Sequence, residues 1–206
     1  TGTTNLLLAL EKNILPSKFV FISSVSVYGV DCGELISEIE PLAASDPYGK
    51  SKILAENIVL DWCDKHHVTC TILRLPLLVG YNPPGNLSKM LNAIKKGYYI
   101  NIGRGDAHKS MVLTRDIADI LPKVASIGGI YNLTDGLHPT FSDLSNVLGK
   151  KYGKINIILP KFFFYFLAKI GDYIHWNSFN STVYKKITST LTFNDEKARK
   201  SFQWNP

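Results

Sequence analysis

Lys18-Phe-Val-Phe-Ile-Ser23 is a continuous run of aromatic and β-branched residues with no polar alternation, the pattern of a strand buried on both faces of a parallel sheet. It follows a helical pattern at Asn5–Lys12. After it comes a polar stretch containing Gly29, Gly33 and Pro41, which reads as a loop. From Pro47 to about His66, the apolar residues Ile53, Leu54, Ile58, Val59 and Trp62 recur at helical spacing, and Pro47 suits a helix first turn.

The same alternation continues outward. Val68-Thr-Cys-Thr-Ile-Leu73 reads as a second buried strand ended by Arg74 and Pro76, and residues 80–85 with Pro83 and Pro84 as a loop. A helix carrying Leu87, Met90, Leu91 and Ile94 follows, then an extended piece to Ile102, a strand at Ser110–Leu113, a helix at Asp116–Ala125 and a strand at Gly129–Leu133. Gly103-Arg-Gly105 reads as a turn. Thr140 and Asp143 are capping residues for a helix running to about Lys151, Ile155–Leu159 is strand-like, and Asp195–Phe202 is the last helix. Strands alternating with helices predict an α/β chain with a parallel sheet. The segment Phe162–Ile170 is far short of the ~20 apolar residues of a membrane span. Its consecutive aromatics read as a core helix, with an amphipathic helix on a membrane surface as the alternative.

With 206 residues, 45% hydrophobic and 19% charged, the chain has the composition of a folded globular protein. Cys32, Cys63 and Cys70 show no metal-ligand spacing and point to a reducing cytoplasmic setting, and Thr1–Leu10 lacks the basic start and long apolar run of a secretory leader. The net charge of +6 is uneven: residues 150–206 carry 10 basic and 3 acidic side chains. Such a lobe suits a diphosphate, an anionic membrane surface or simply solvent. Nucleic acid is not expected, because the aromatics are consecutive rather than interleaved with the basic residues.

The chemistry is concentrated in Tyr48-Gly-Lys-Ser-Lys52, where a spacing of four sets a phenol and an ammonium on one helix face. A free phenol ionises near about 10, and a neighbouring cation favours the phenolate that a general base requires. Ser24 ends the first strand, where α/β folds build their sites, and could hydrogen-bond a substrate hydroxyl or a developing carbonyl oxygen. Taken singly, the pair also describes a surface tyrosine beside a lysine, and the serine a strand-end cap.

Phe21-Ile-Ser-Ser-Val-Ser-Val-Tyr-Gly29, Glu40-Pro41 and Asp46-Pro-Tyr-Gly-Lys-Ser-Lys52 with Glu56 together resemble the extended short-chain dehydrogenase/reductases of the epimerase/dehydratase kind. Leu73-Arg74, Gly85-Asn-Leu87, Asp116-Ile-Ala118, Tyr131-Asn-Leu133 and Lys197-Ala-Arg199 carry the resemblance along nearly the whole chain. It implies a Rossmann-like parallel sheet at residues 1–80, the C-terminal half of a dinucleotide-binding domain, and a small α/β substrate lobe at 81–206 with segments such as 110–133 returning to the sheet. The implied cofactor is NAD or NADP, the substrate a nucleotide-diphosphate sugar such as a UDP-sugar, and the assembly a homodimer. By position, Ser24, Tyr48 and Lys52 match the catalytic hydroxyl, acid/base and ribose-binding lysine. Ser23 and Pro76 lie beside the cofactor in that reading, and Ser24, Asn86, Leu87 and Lys109 on the substrate side.

The departures narrow this reading. Val25 and Ser26 stand where related 4,6-dehydratases carry an Asp-Glu pair, so dehydration is not expected. Leu77 replaces a common asparagine, and Lys109 an arginine, losing the planar fork that grips a diphosphate. No glycine-rich dinucleotide loop is present, so that half of the site is expected to lie outside this chain. The expected activity is a 4-epimerase or 4-ketoreductase serving surface-polysaccharide synthesis, with weak association to a membrane surface. The rival reading is a non-catalytic dinucleotide sensor.

Overall fold

The computed structural model describes residues 2–81, 83, 85–174 and 179–206, and for residue 86 the backbone only. In chain order the elements are α1 (Gly2–Glu11), β1 (Lys18–Ser24), a 3-10 turn (Val25–Tyr28), β2 (Gly33–Ile36), α2 (Pro47–Lys65) and β3 (Thr69–Leu75). There follow β4 (Leu77–Val79), α3 (Gly85–Lys96), β5 (Ile100–Ile102), β6 (Met111–Leu113), α4 (Thr114–Val124) and β7 (Gly129–Asn132). The chain continues through α5 (Phe141–Tyr152), β8 (Ile157–Leu159), α6 (Lys161–Tyr173), α7 (Ser181–Thr188), β9 (Leu191–Phe193) and α8 (Glu196–Phe202).

β1, β3 and β7 form a parallel sheet in the order β1-β3-β7. Alternate side chains leave its two faces. On one face Phe19 and Phe21 meet Leu7, Val59, Trp62 and Cys63 of α1 and α2. On the other, Leu73 and Leu75 meet Ile117 and Val124 of α4 and Ala198 and Phe202 of α8. Helices thus cover both faces, which is why the strands read as unbroken apolar runs. Beyond the sheet, β4 pairs with β6, β5 with β8 and β2 with β9, all in parallel. Leu87, Met90 and Ile94 of α3 bury against Leu144 and Leu148 of α5.

Three expectations are corrected. The stretch after β1 is only partly a loop: Val27 and Tyr28 of the 3-10 turn are fully buried against Phe193, and β2 pairs with β9. The strand expected to end at Arg74 runs on to Leu75, because the guanidinium is satisfied inside the protein rather than exposed. The aromatics of α6 do not form a core helix, for Phe162 is 74% and Phe166 65% exposed, while only Ala168 and Gly171 are buried. α7 and β9 gave no signal strong enough to be read, both being short. The turn at Gly103–Gly105 is present, both glycines having positive φ.

Candidate active site

α2 begins where the sequence places it. Asp46 caps the helix by accepting from the backbone N–H of Tyr48 and of Gly49, both at 3.0 Å, with Pro47 in the first turn. Tyr48 is therefore held at the helix start, its side chain 54% exposed. One turn later, Lys52 donates from Nζ to the carbonyl of Ile22 in β1 at 2.9 Å. Its ammonium sits 5.9 Å from the Tyr48 ring centre and 5.1 Å from that of Phe21. The phenol and the ammonium are thus side by side at the start of α2.

Ser24 ends β1 and caps the 3-10 turn, its Oγ accepting from the backbone N–H of Ser26 at 3.2 Å and donating to Ser26 Oγ at 3.1 Å. The capping role and the position at the sheet's carboxyl end are both real, and Ser26 adds a second hydroxyl there. Ser24 lies opposite Leu75, so Pro76 follows at the same end of the sheet. Ser23, Ser24, Tyr48, Lys52 and Pro76 are thus gathered by β1, β3 and α2. Ser23 itself is buried and donates to Glu56 Oε1 at 2.5 Å, leaving only its backbone for a ligand.

Glu56 is the residue whose role sequence reasoning missed. It stands one turn beyond Lys52 and two beyond Tyr48, a spacing that keeps all three on one side of α2. Buried almost completely, it accepts from Arg74 Nη2 at 2.7 Å and Nε at 3.1 Å. Arg74 Nη1 reaches the Tyr28 hydroxyl at 3.1 Å, and that hydroxyl donates to Asn132 at 2.8 Å. Burial alone would lower the Arg74 pKa, but its bonds to Glu56 and Tyr28 outweigh this and hold it above the usual value. Burial pushes the Tyr28 phenol up, so it stays protonated and can donate. The network clamps α2 to β1, β3, β7 and the 3-10 turn, directly behind Ser24, Tyr48 and Lys52.

Of the expected substrate-side residues, Ser24 belongs to this group, while Leu87 and Lys109 sit on other elements, in α3 and just before β6. The Leu87 side chain is buried against Met90 and Ile94, and the Asn86 side chain lies outside the described residues. Lys109 is buried, donates to the carbonyl of Lys186 in α7 at 2.9 Å, and has its pKa lowered by burial. Leu77 pairs with Met111. A small cleft of about 120 Å³ lies between β5 and α7, lined by Tyr99, Asn101, Asp106, Phe141 and Ile187. Asn101 Oδ1 is buried beside it and has no hydrogen-bond partner among the described residues.

Residues 1–134 match the model of the NAD dependent epimerase/dehydratase family. The chain belongs to that family. Within it, the chain is 29% identical, over 97% of its own length, to the N-acetyl-alpha-D-glucosaminyl-diphospho-ditrans,octacis-undecaprenol 4-epimerase of Escherichia coli O157:H7, covering 64% of that protein. Among solved structures it resembles the UDP-glucose 4-epimerase of Thermotoga maritima with UDP-glucose, at TM-score 0.73 and 18% identity, covering all of this chain and 63% of the other. It also resembles RMD from Pseudomonas aeruginosa complexed with NADPH, at TM-score 0.72 and 20% identity, covering 66% of that chain. The structural likenesses establish the Rossmann-like α/β fold of extended short-chain dehydrogenase/reductases. The chain spans under two thirds of the length of these epimerase/dehydratase relatives.

Proposed function

We propose that this chain carries the catalytic end and substrate lobe of an NAD(P)-dependent 4-epimerase acting on a diphosphate-linked sugar. The observation that carries the reading is the Tyr48–Lys52 pair at the carboxyl end of β1, with Ser24 beside it. Tyr48 as phenolate accepts the proton of the sugar 4-hydroxyl, and as phenol returns it. Lys52 keeps the phenolate charged, and Ser24 or Ser26 donates to the oxygen that becomes a carbonyl.

The residues fit one end of the cofactor. Among the described residues Lys52 makes one hydrogen bond, to the Ile22 carbonyl, so that its other ammonium donors could serve ribose hydroxyls, while Pro76 and the Ser23 backbone flank the same sheet end. When bound, NAD or NADP would supply hydride uptake from sugar carbon 4 and its return to the opposite face. The absence of acidic residues at Val25 and Ser26 supports epimerisation over water elimination.

For the diphosphate-linked sugar, the E. coli relative supports a polyprenyl-diphosphate N-acetylglucosamine, and the resemblance to UDP-glucose 4-epimerases supports a UDP-sugar. Either product would feed surface-polysaccharide synthesis. The cleft at Asn101 is offered as part of the substrate lobe.

The test uses the full-length protein with NAD added, supplied separately with UDP-N-acetylglucosamine and its polyprenyl-diphosphate counterpart. Formation of the 4-epimer is expected, with Tyr48→Phe at least about 100-fold slower. No 4-epimer in this assay, together with oxidation of added NAD(P)H when a 4-keto nucleotide sugar is supplied instead, would identify a ketoreductase, and undiminished turnover by Tyr48→Phe would overturn the assignment.

A further inference from the structure

We infer that the outward face of α6 is a docking surface for an anionic lipid bilayer. A helix that serves a core buries its largest apolar side chains, whereas α6 buries Ala168 and Gly171 and turns its aromatics to solvent. At 100° per residue, Tyr165, Phe162, Tyr173, Phe166, Ile170 and Phe163 fall on one arc of about 160°. All six are exposed, Tyr173 by 86%, with Tyr165 at one edge of the arc also meeting Tyr184 of α7 edge-on. The opposite side is fixed to the protein: Phe164 packs edge-on to Phe179, and Gly171 approaches the Phe179 carbonyl too closely to admit any side chain. The exposed face is therefore presented by a helix that is anchored from behind.

Charge selects the occupant. Between Lys150 and Lys186 the sequence holds seven lysines and one acid, Asp172, whose carboxylate is taken by Ser181. Lys161 pairs with Asp106 and Lys186 with Asp31, while Lys150, Lys151, Lys154, Lys169 and Lys185 are exposed. Lys169 lies within the apolar arc itself, its ammonium 5.6 Å from the Tyr165 ring centre. Aromatic rings and lysines on one surface helix match the bilayer interface, where rings enter the headgroup level and ammonium groups meet anionic lipid. A second copy docked face to face would bring this basic segment against itself. No helix among the described residues is long and apolar enough to cross a membrane, and α6 is proposed to lie on its surface. The inference goes beyond the catalytic reading and stands without it, since lipid binding requires no turnover.

The experiment is co-sedimentation of the full-length protein with vesicles of phosphatidylcholine alone or mixed equally with phosphatidylglycerol, at low salt and in about 0.5 M NaCl. Binding to the mixed vesicles at low salt is expected, at least about tenfold stronger than to phosphatidylcholine. Combined Phe162→Ser, Phe166→Ser and Tyr173→Ser substitutions should lower it at least about tenfold. Circular dichroism checks folding, and the single Tyr173→Ser variant, expected to bind more weakly, serves if the triple variant misfolds. Absence of wild-type binding to mixed vesicles at low salt overturns the proposal. So does full binding by the folded variant, or a wild-type dimer that the same substitutions dissociate, which would make the face a contact between copies. Epimerase activity is read separately, so its loss bears on Tyr48 and not on α6.

Discussion

At the scale of single residues, the Glu56–Arg74 pair is the clearest case of function resting on a group that touches no substrate. Removing one member leaves the other charged and buried. Glu56→Ala is expected to cost about 3–5 kcal/mol in denaturant unfolding. Glu56→Gln keeps an acceptor for Ser23 and should fall between the two. His138 supplies a pH dependence. Ser110 Oγ accepts from the Phe193 backbone N–H and also lies 2.9 Å from His138 Nδ1, a hydrogen bond whose donor is set by the imidazole tautomer. Burial pushes the His138 pKa below the usual 6.5. Below that value the unfolded chain takes up a proton that the folded chain refuses, so stability is full above about 6.5 and declines as pH falls toward the lower folded value. His138→Asn, tolerable at its positive φ, should flatten the stability slope below about pH 6.5, measured as denaturant midpoints.

At the scale of elements, the start of α2 is positioned by a close approach. A Cβ on Gly49 would lie 2.5 Å from Ala44 Cβ and 2.7 Å from the Ser26 carbonyl oxygen, and the latter is backbone that cannot rotate away. Gly49→Val should therefore lift the first turn of α2 off the 3-10 turn and carry Tyr48 with it. The expected result is a loss of about 1–3 kcal/mol in stability and at least about tenfold in kcat, checked by unfolding and steady-state kinetics. The start of α5 is set more locally: Thr140 and Asp143 form a reciprocal capping box, as their spacing predicts.

At the scale of the whole molecule, the sheet order leaves the outer edge of β1 without a strand partner among the described residues. That edge borders Phe19, Val20 and Phe21, apolar residues typical of an interior strand. The 206-residue chain studied alone is expected to self-associate through it. Light scattering across roughly μM to mM concentrations should show rising mass, and a constant monomer mass would count against an available edge.

The sequence by itself determined the order of β1, α2, β3, α3, α4, β7, α5 and α8, because each element's period is set by its own backbone hydrogen bonding and shows in the spacing of apolar residues, whereas the short β2, β4, α7 and β9 left no such pattern. It also determined that Tyr48 and Lys52 share one face of α2 and that Pro47 falls in its first turn. Only the tertiary structure decided what those side chains meet. That Ser23 spends its hydroxyl on Glu56, that Arg74 is internal, and that Lys109 turns toward α7 all depend on partners 33, 18 and 77 residues away. The sequence left the role of α6 open between a core helix and a surface helix for the same reason: an apolar helix reads alike whether protein covers it or not, and only the contacts of Phe164 and Gly171 with Phe179 show which side is covered.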